Sequence, residues 1–179
     1  MDTKGITLYR GITPGAIPWD VHGGHGEAWS RSFAFAKRYA RFPGGYVLEA
    51  LLHSSAKQLI LTNVEDEDGF TDYVEDGLKL LAELVDYSWL YTNLMSGFTS
   101  LWETWDPEWT EKVIQAGYDT IFTQGFEGAE EYVLNPSVLR FTRYHRVLTD
   151  KTTKAHPIEP DTLEQLGYVV RVGMVINPQ

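Results

Sequence analysis

The chain has 179 residues, 43% of them hydrophobic and 13% aromatic, which suits one folded domain with an apolar core. Fifteen Lys and Arg residues against 25 Asp and Glu residues give a formal charge of −10, which disfavours nonspecific binding to duplex nucleic acid. The absence of cysteine excludes disulfides, thiolate catalysis and cysteine-ligated zinc. With no secretory signal pattern and no long apolar run, we expect a cytoplasmic protein without a membrane partner.

The apolar patterning predicts an α+β fold, because strands and helices do not alternate regularly along the chain. Helices are predicted at 32–41, with Ser32 as the N-cap, and through a long helical segment at about 71–117 that ends at Gly117. Pro107 interrupts that segment before a last helix at 108–115. Strands are predicted at 6–9, 46–52, 58–61, 120–123, 131–134 and 168–176.

We interpret residues 1–179 as one domain with the helical segment inserted into it. Its apolar stripe includes Leu78, Leu81 and Val85, which indicates a face packed inward. Four tryptophans of this segment are also predicted to form core, with a partner-binding face as the alternative, namely Trp89, Trp102, Trp105 and Trp109. A C-terminal extension, about 140–179, is left without an assigned role.

Three short motifs occur in a fixed order along the chain. They are LYRG at 8–11, WSRS at 29–32 with a helix behind it, and EEYVLNP at 130–136. Together they resemble the Arg–Ser–Glu signature of the NAD-dependent ADP-ribosyltransferases, over residues 9 to about 139. Each motif alone is short, and the order and spacing of all three carry the resemblance.

The resemblance implies a split β-sheet scaffold that binds NAD as a substrate. It implies cleavage of the nicotinamide–ribose bond and transfer of ADP-ribose to a macromolecular acceptor, above all a protein. An NAD glycohydrolase, with water as the acceptor, is one alternative. A catalytically inactive binding module on the same fold is the other.

The resemblance assigns the catalytic roles to Arg10, Ser30 and Glu131. Glu131 would stabilise the oxocarbenium-like ribosyl cation that forms as nicotinamide leaves. Arg10 would pair with diphosphate oxygens through its planar guanidinium. Ser30 would orient the glutamate, and Gly11 would let the backbone approach the nicotinamide amide closely.

Three further residues are expected to contact NAD. Ser32 lies beside Ser30, and Phe35 or Tyr39 would stack on nicotinamide. Each assignment has a structural alternative: Ser32 as a helix cap, and Phe35 and Tyr39 as core residues spaced i, i+4.

The catalytic pair has structural alternatives too. Arg10 could be an exposed arginine at a strand end. Glu131 could face solvent on its strand, with Glu130 as the functional carboxylate instead.

The chain departs from the family pattern at Ala129, where members of the family carry a second Glu or a Gln that handles the acceptor. Gln124 and Glu127 lie just upstream on the same turn and are candidates to substitute. Phe126 is a candidate exposed aromatic on this substrate-facing loop.

Two other segments carry charged or metal-ligating side chains. A glycine-rich loop holds Asp20, His22, His25 and Glu27, but their spacing matches no closed site, so we expect no metal and interpret the loop as a flap over NAD. Residues 140–156 are locally basic, with a formal charge of +4. This segment could receive a nucleic acid or an acidic partner, or be a solvated surface segment.

Overall fold

The computed structural model of the chain describes residues 5–15, 26–62, 74–95, 101, 105–125, 128–159, 161–168 and 175–176. The strands are β1 Ile6–Ile12, β2 Glu27–Trp29, β3 Tyr46–Leu52, β4 Gln58–Ile60, β5 Thr120–Gly125, β6 Gly128–Val133, β7 Leu139–Val147, β8 Thr153–Pro157 and β9 Val175–Ile176. The helices are α1 Phe33–Lys37, α2 Glu75–Val85, α3 Leu90–Met95, α4 Pro107–Gln115 and α5 Thr162–Gln165, with a 3-10 turn at Pro136–Val138.

These elements form two sheets, which confirms the predicted α+β class. One sheet has five strands in the order β1-β3-β7-β8, with β9 beside β7, and the other has four in the order β2-β6-β5-β4. The chain divides into two compact units. The first unit comprises residues 1–17, 29–56 and 136–179, and the second comprises 18–28 and 57–135.

In the first unit, helix α1 covers one face of the five-stranded sheet. Ala36 and Ala40 of the α1 region pack against Val47 and Val147 in a buried cluster. Because successive side chains of a strand point to opposite faces, Leu8 and Phe141 belong to the other face. There Phe141 makes edge contacts with the rings of Trp29 and Tyr168.

In the second unit, the helical segment connects two parallel strands. Strands β4 and β5 pair in parallel, which requires a long crossover, and helices α2, α3 and α4 form it. The helices bury their apolar side chains against one face of the sheet. The cluster includes Leu59, Leu61, Leu78, Leu81, Val85, Leu90, Leu94, Trp109, Val113, Ile121 and Tyr132.

The helix ends follow from local chemistry. The Ser32 side chain accepts a hydrogen bond from Phe35 N at 3.2 Å, which confirms it as the α1 N-cap. Helix α4 begins at Pro107, one residue before the predicted start, because Asp106 caps it and a first-turn proline lacks only an N–H that would have no helical partner. Gly117, at φ 89°, follows α4 as predicted.

Several predicted boundaries were wrong. Strand β1 continues to Ile12, and α1 ends at Lys37 because the next amides bond three residues back, as in Tyr39 N to Ala36 O. The predicted strand at 168–176 begins too early. Tyr168 follows helix α5, and only Val175–Ile176 is a strand among the described residues of that stretch.

The basic C-terminal segment contributes two strands that the sequence analysis did not predict. Strand β7 pairs with β3, β8 and β9, so 140–156 is not merely a solvated segment. A β-bulge lies where Glu49 and Ala50 of β3 face β7. The extra residue reverses the inward and outward alternation within β7, which hides the period-two pattern.

The tryptophan prediction was correct in part. Trp105 and Trp109 are buried, whereas Trp89 is 66% exposed, because it lies in the turn before α3 rather than on a helical stripe. Trp102 lies outside the described residues. No helix among the described parts of the chain is long and apolar enough to cross a membrane.

Replacing Gly77 by alanine is predicted to destabilise the fold, although helix propensity alone favours alanine over glycine. An alanine normally stabilises an exposed helix by about 1 kcal/mol relative to glycine. Here an added Cβ would lie 2.0 Å from the Ile60 carbonyl oxygen. We expect Gly77→Ala to lower the free energy of unfolding by about 1–3 kcal/mol in urea titrations. Glu83→Ala, at an exposed position of the same helix, is the control, and a stabilised Gly77→Ala variant would contradict this packing.

Candidate functional site

Glu131 lies on β6, on the face of the four-stranded sheet opposite the helices. Its backbone neighbour across the sheet is Phe122 of β5, and Ile60 of β4 completes the row. Gln58 of β4 and Thr120 of β5 lie two residues before Ile60 and Phe122 on their strands, so their side chains are on the same face. Ile121 and Tyr132 point the other way, into the helix-side core.

The Glu131 carboxylate is buried, and the side chains that donate hydrogen bonds to it include Gln58 and Thr120. Gln58 Nε2 donates to Oε1 and Oε2, each at 2.9 Å, and Thr120 Oγ1 donates to Oε1 at 2.5 Å. Glu131 has no exposed surface, so its interpretation as a solvent-facing strand residue is wrong. Donors on β4 and β5 therefore fix a carboxylate on β6.

Glu130 has a different environment from its neighbour. It is 7% exposed, and its Oε2 accepts a hydrogen bond from the Tyr132 hydroxyl at 2.8 Å. Tyr132 belongs to the helix-side core, so the two adjacent carboxylates point to opposite faces of the sheet. Only Glu131 lies on the face that carries Gln58 and Thr120.

This arrangement of Glu131 suits a fixed negative charge. Burying a carboxylate is unfavourable unless hydrogen bonds compensate, and Gln58 and Thr120 supply such bonds. In a site with little water, a fixed carboxylate stabilises a developing positive charge more than it would in bulk solvent. The same bonds also tie three strands together, which is a purely structural alternative.

Arg10 is also buried, at 6% exposure, so the alternative of an exposed strand-end arginine is wrong. It lies within β1, on the face that carries Tyr46 and Leu48 of β3. Burial raises the pKa of Tyr46 to about 12, and the positive charge of Arg10 opposes that rise. The Tyr46 hydroxyl donates to the Leu166 carbonyl at 3.3 Å.

Gly11 has a packing role that the sequence analysis did not identify. A Cβ at this position would lie 1.9 Å from the Ala36 carbonyl oxygen of helix α1. The absence of a side chain therefore allows the helix to approach the sheet closely. The contact of Gly11 with NAD stays a prediction.

Ser30 and Ser32 lie together at the start of helix α1. Ser30 forms an antiparallel pair with Tyr9, with N–O distances of 2.7 and 2.8 Å, and its Oγ accepts from Ser32 N at 3.0 Å. Directly paired residues carry their side chains on the same face. The Ser30 side chain therefore shares the Tyr9 face, and Arg10 points to the other one.

Phe35 and Tyr39 are adjacent in space, with ring centroids 5.6 Å apart. Tyr39 is 44% exposed and Phe35 is half-buried, so neither is a buried core residue. The helix presents Ala36 and Ala40 to the core instead. Both rings thus keep surface on which a planar ligand could stack.

The predicted acceptor-handling residues are largely beyond the described residues. Gln124 lies in β5, paired with Ala129 of β6. Phe126 and Glu127 lie outside the described residues, as do Asp20, His22 and His25. Within the part of the chain that the structure describes, no group of three or more His, Asp or Glu residues could hold a metal ion.

Gln58 and Thr120 were not predicted as partners of Glu131. Each is the first residue of a predicted strand, and a polar residue at the start of an otherwise apolar strand is only a weak indication of a functional site. Their proximity to Glu131 depends on the register of β4, β5 and β6, which is set by tertiary pairing.

Comparisons of the chain with protein-family profiles, with curated proteins and with solved structures find no match. The assignment of roles to these residues therefore depends on the motifs and on the geometry given above.

Tyr46 makes the free energy of unfolding depend on pH in the alkaline range. Because its pKa is about 12 in the folded chain and near 10 in an unfolded one, the folded state holds the hydroxyl proton more tightly. The contribution of the protonated hydroxyl to the free energy of unfolding is fully present below pH 10. It is lost as the pH rises from about 10 to 12, and the loss is roughly 2–3 kcal/mol in all. We expect Tyr46→Phe to remove this part of the loss in urea titrations at increasing pH. Equal alkaline losses in both proteins would contradict the assignment.

Proposed function

We propose that the chain is an NAD-dependent mono-ADP-ribosyltransferase. It would break the bond between nicotinamide and ribose and transfer ADP-ribose to a macromolecular acceptor. The observation that carries the proposal is the Glu131 carboxylate, buried and held by Gln58 and Thr120 at the position where the motif expects the catalytic glutamate.

The chemistry requires a negative charge beside the ribose. When the C1′–N bond breaks, its electron pair goes to the nicotinamide nitrogen and positive charge develops on the ribose ring. A nucleophile of the acceptor then forms the new bond to C1′ and loses its proton. The Glu131 carboxylate would stabilise the intervening charge, and a carboxylate already held in place needs little reorganisation to do so.

In the first unit, considered by itself, three kinds of side chain match the roles that the resemblance assigns in binding NAD. Arg10 is buried within β1, and the planar fork of its guanidinium matches diphosphate oxygens. The partly exposed rings of Phe35 and Tyr39 suit stacking on nicotinamide. The hydroxyl of Ser30 is fixed at the base of the same helix.

One observation favours an inactive module instead. Glu131 has no exposed surface, so NAD can reach it only if the residues around it move. The face that carries Glu131 opens to solvent at its β4 edge, where Ile60 of the same row is 48% exposed. A transferase, a glycohydrolase and an inactive module are distinguished by whether labelled NAD gives a labelled macromolecule, free ADP-ribose or neither.

The central test of this function replaces Glu131 by its amide. Glu131→Gln keeps size and a hydrogen-bonding oxygen but removes the charge that the transition state requires. We expect nicotinamide release to fall about 100- to 1000-fold. NAD binding, measured by calorimetry, should change little because the lost interaction belongs to the transition state.

Glu130→Gln is the matched control, since this carboxylate points to the helix side and bonds Tyr132. It should retain nicotinamide release. Loss of activity in Glu130→Gln alone would reassign the catalytic carboxylate. Equal rates in all three proteins would reject the mechanism.

A further inference from the structure

Charge is divided unevenly between the two units. The first unit carries twelve Lys and Arg residues and six Asp and Glu residues, a formal charge of +6. The second carries three and nineteen, a formal charge of −16. The negative charge that disfavours nucleic acid binding therefore comes from the second unit, whereas the first unit carries a net positive charge.

Part of the positive charge is concentrated on one face of the β7–β8 pair. Arg146 lies directly opposite Lys154, and Tyr144 lies directly opposite His156. Because residues two apart on a strand share a face, these four side chains form one group, here termed the β7–β8 quartet. Both cationic side chains are exposed, and both rings are half-buried.

The cationic pair is unfavourable for the sheet by itself. Like charges directly opposite each other on neighbouring strands destabilise the pairing. None of the ion pairs among the described residues involves Arg146 or Lys154. By contrast, Arg143 and His145, on the other face of β7, both pair with the Glu49 carboxylate. The charge on the quartet face is thus not offset by an ion pair within the described residues.

The two rings lie next to this pair in a stacked arrangement. The centroids of Tyr144 and His156 are 5.1 Å apart and their planes differ by 18°. Among the described strands β8 ends the sheet, so the face of the His156 ring turned away from Tyr144, here called its outer face, lies toward the sheet edge. The ring row and the cation row are two residues apart, about 7 Å along the strand.

We propose that the β7–β8 quartet binds a single-stranded nucleic acid. A backbone phosphate would lie between Arg146 and Lys154, and the adjoining base would stack on the outer face of His156. Stacking requires an unpaired base, which favours a single strand over a duplex. The Asp and Glu side chains of an acidic peptide would use the two cations but offer no aromatic ring to stack on the ring row. This inference does not depend on the proposed enzymatic function.

The test is the fluorescence anisotropy of a short labelled single strand of RNA or DNA, titrated with the full chain at several salt concentrations. We expect binding that weakens with salt. Arg146→Gln should weaken it and reduce the logarithmic salt slope by about 0.7, the value for one phosphate contact on a single strand. His156→Ala should weaken binding roughly 5- to 100-fold through loss of stacking.

Arg140→Gln is the matched control. Arg140 is an exposed arginine of the same strand, and its register partner Leu51 places it on the opposite face. The variant removes the same charge and should leave the salt slope nearly unchanged. Equal effects of Arg140→Gln and Arg146→Gln would overturn the proposal, because they would show attraction to net charge alone.

Lys154→Glu separates binding from folding. It replaces a like-charge pair by an opposite-charge pair, so we expect a Tm higher by about 1–3 °C together with loss of strand binding. A stabilised variant that still binds would overturn the proposal. So would competition by polyglutamate as effective as by unlabelled strand, which would identify an acidic-peptide surface, and so would equal affinity for duplex.

Discussion

The hydrogen bonds from Gln58 and Thr120 to Glu131 connect the fold of the second unit to its proposed chemistry. They join side chains of three strands, β4, β5 and β6, on the face of the sheet away from the helices. A carboxylate without exposed surface depends on such donors, since removing one leaves a buried charge poorly compensated. The same donors limit its rotation, so one interaction both stabilises the sheet and orients the carboxylate.

The alternation of a β-strand separates two neighbouring acids into different roles. Tyr132 donates a hydrogen bond to Glu130 on the helix side of the sheet. Glu131 lies on the other side, where Gln58 donates to it. In the first unit the same rule separates Arg10 from Gly11. Gly11 lies on the face that helix α1 approaches closely, and Arg10 points to the face that carries Tyr46. The short motifs therefore bring together residues whose side chains diverge in space.

Features with a local cause were predictable from the sequence. Strand β3 has the predicted bounds, Ser32 caps α1, and Gly117 follows α4, because alternation, capping and left-handed backbone are properties of a few adjacent residues.

Features set by distant pairing were not predictable in this way. Strand β7 was missed because the bulge opposite β3 reverses its alternation of inward and outward side chains. The partnership of Gln58 with Glu131 joins residues 73 positions apart through strand register. The exposure of Trp89 depends on the turn that precedes α3, a boundary that apolar content alone does not locate.

Whether Glu131 contacts NAD is tested by the carboxyl ¹³C resonance of Glu131 during titration with NAD. The protein would be labelled at glutamate carboxyl carbons, with Glu131 and Glu130 assigned from their Gln variants. We expect NAD to shift the Glu131 resonance and to leave that of Glu130 nearly unchanged, because only Glu131 would lie beside the ribose. A Glu131 resonance that stays in place at saturating NAD, or a shift of Glu130 alone, would contradict it.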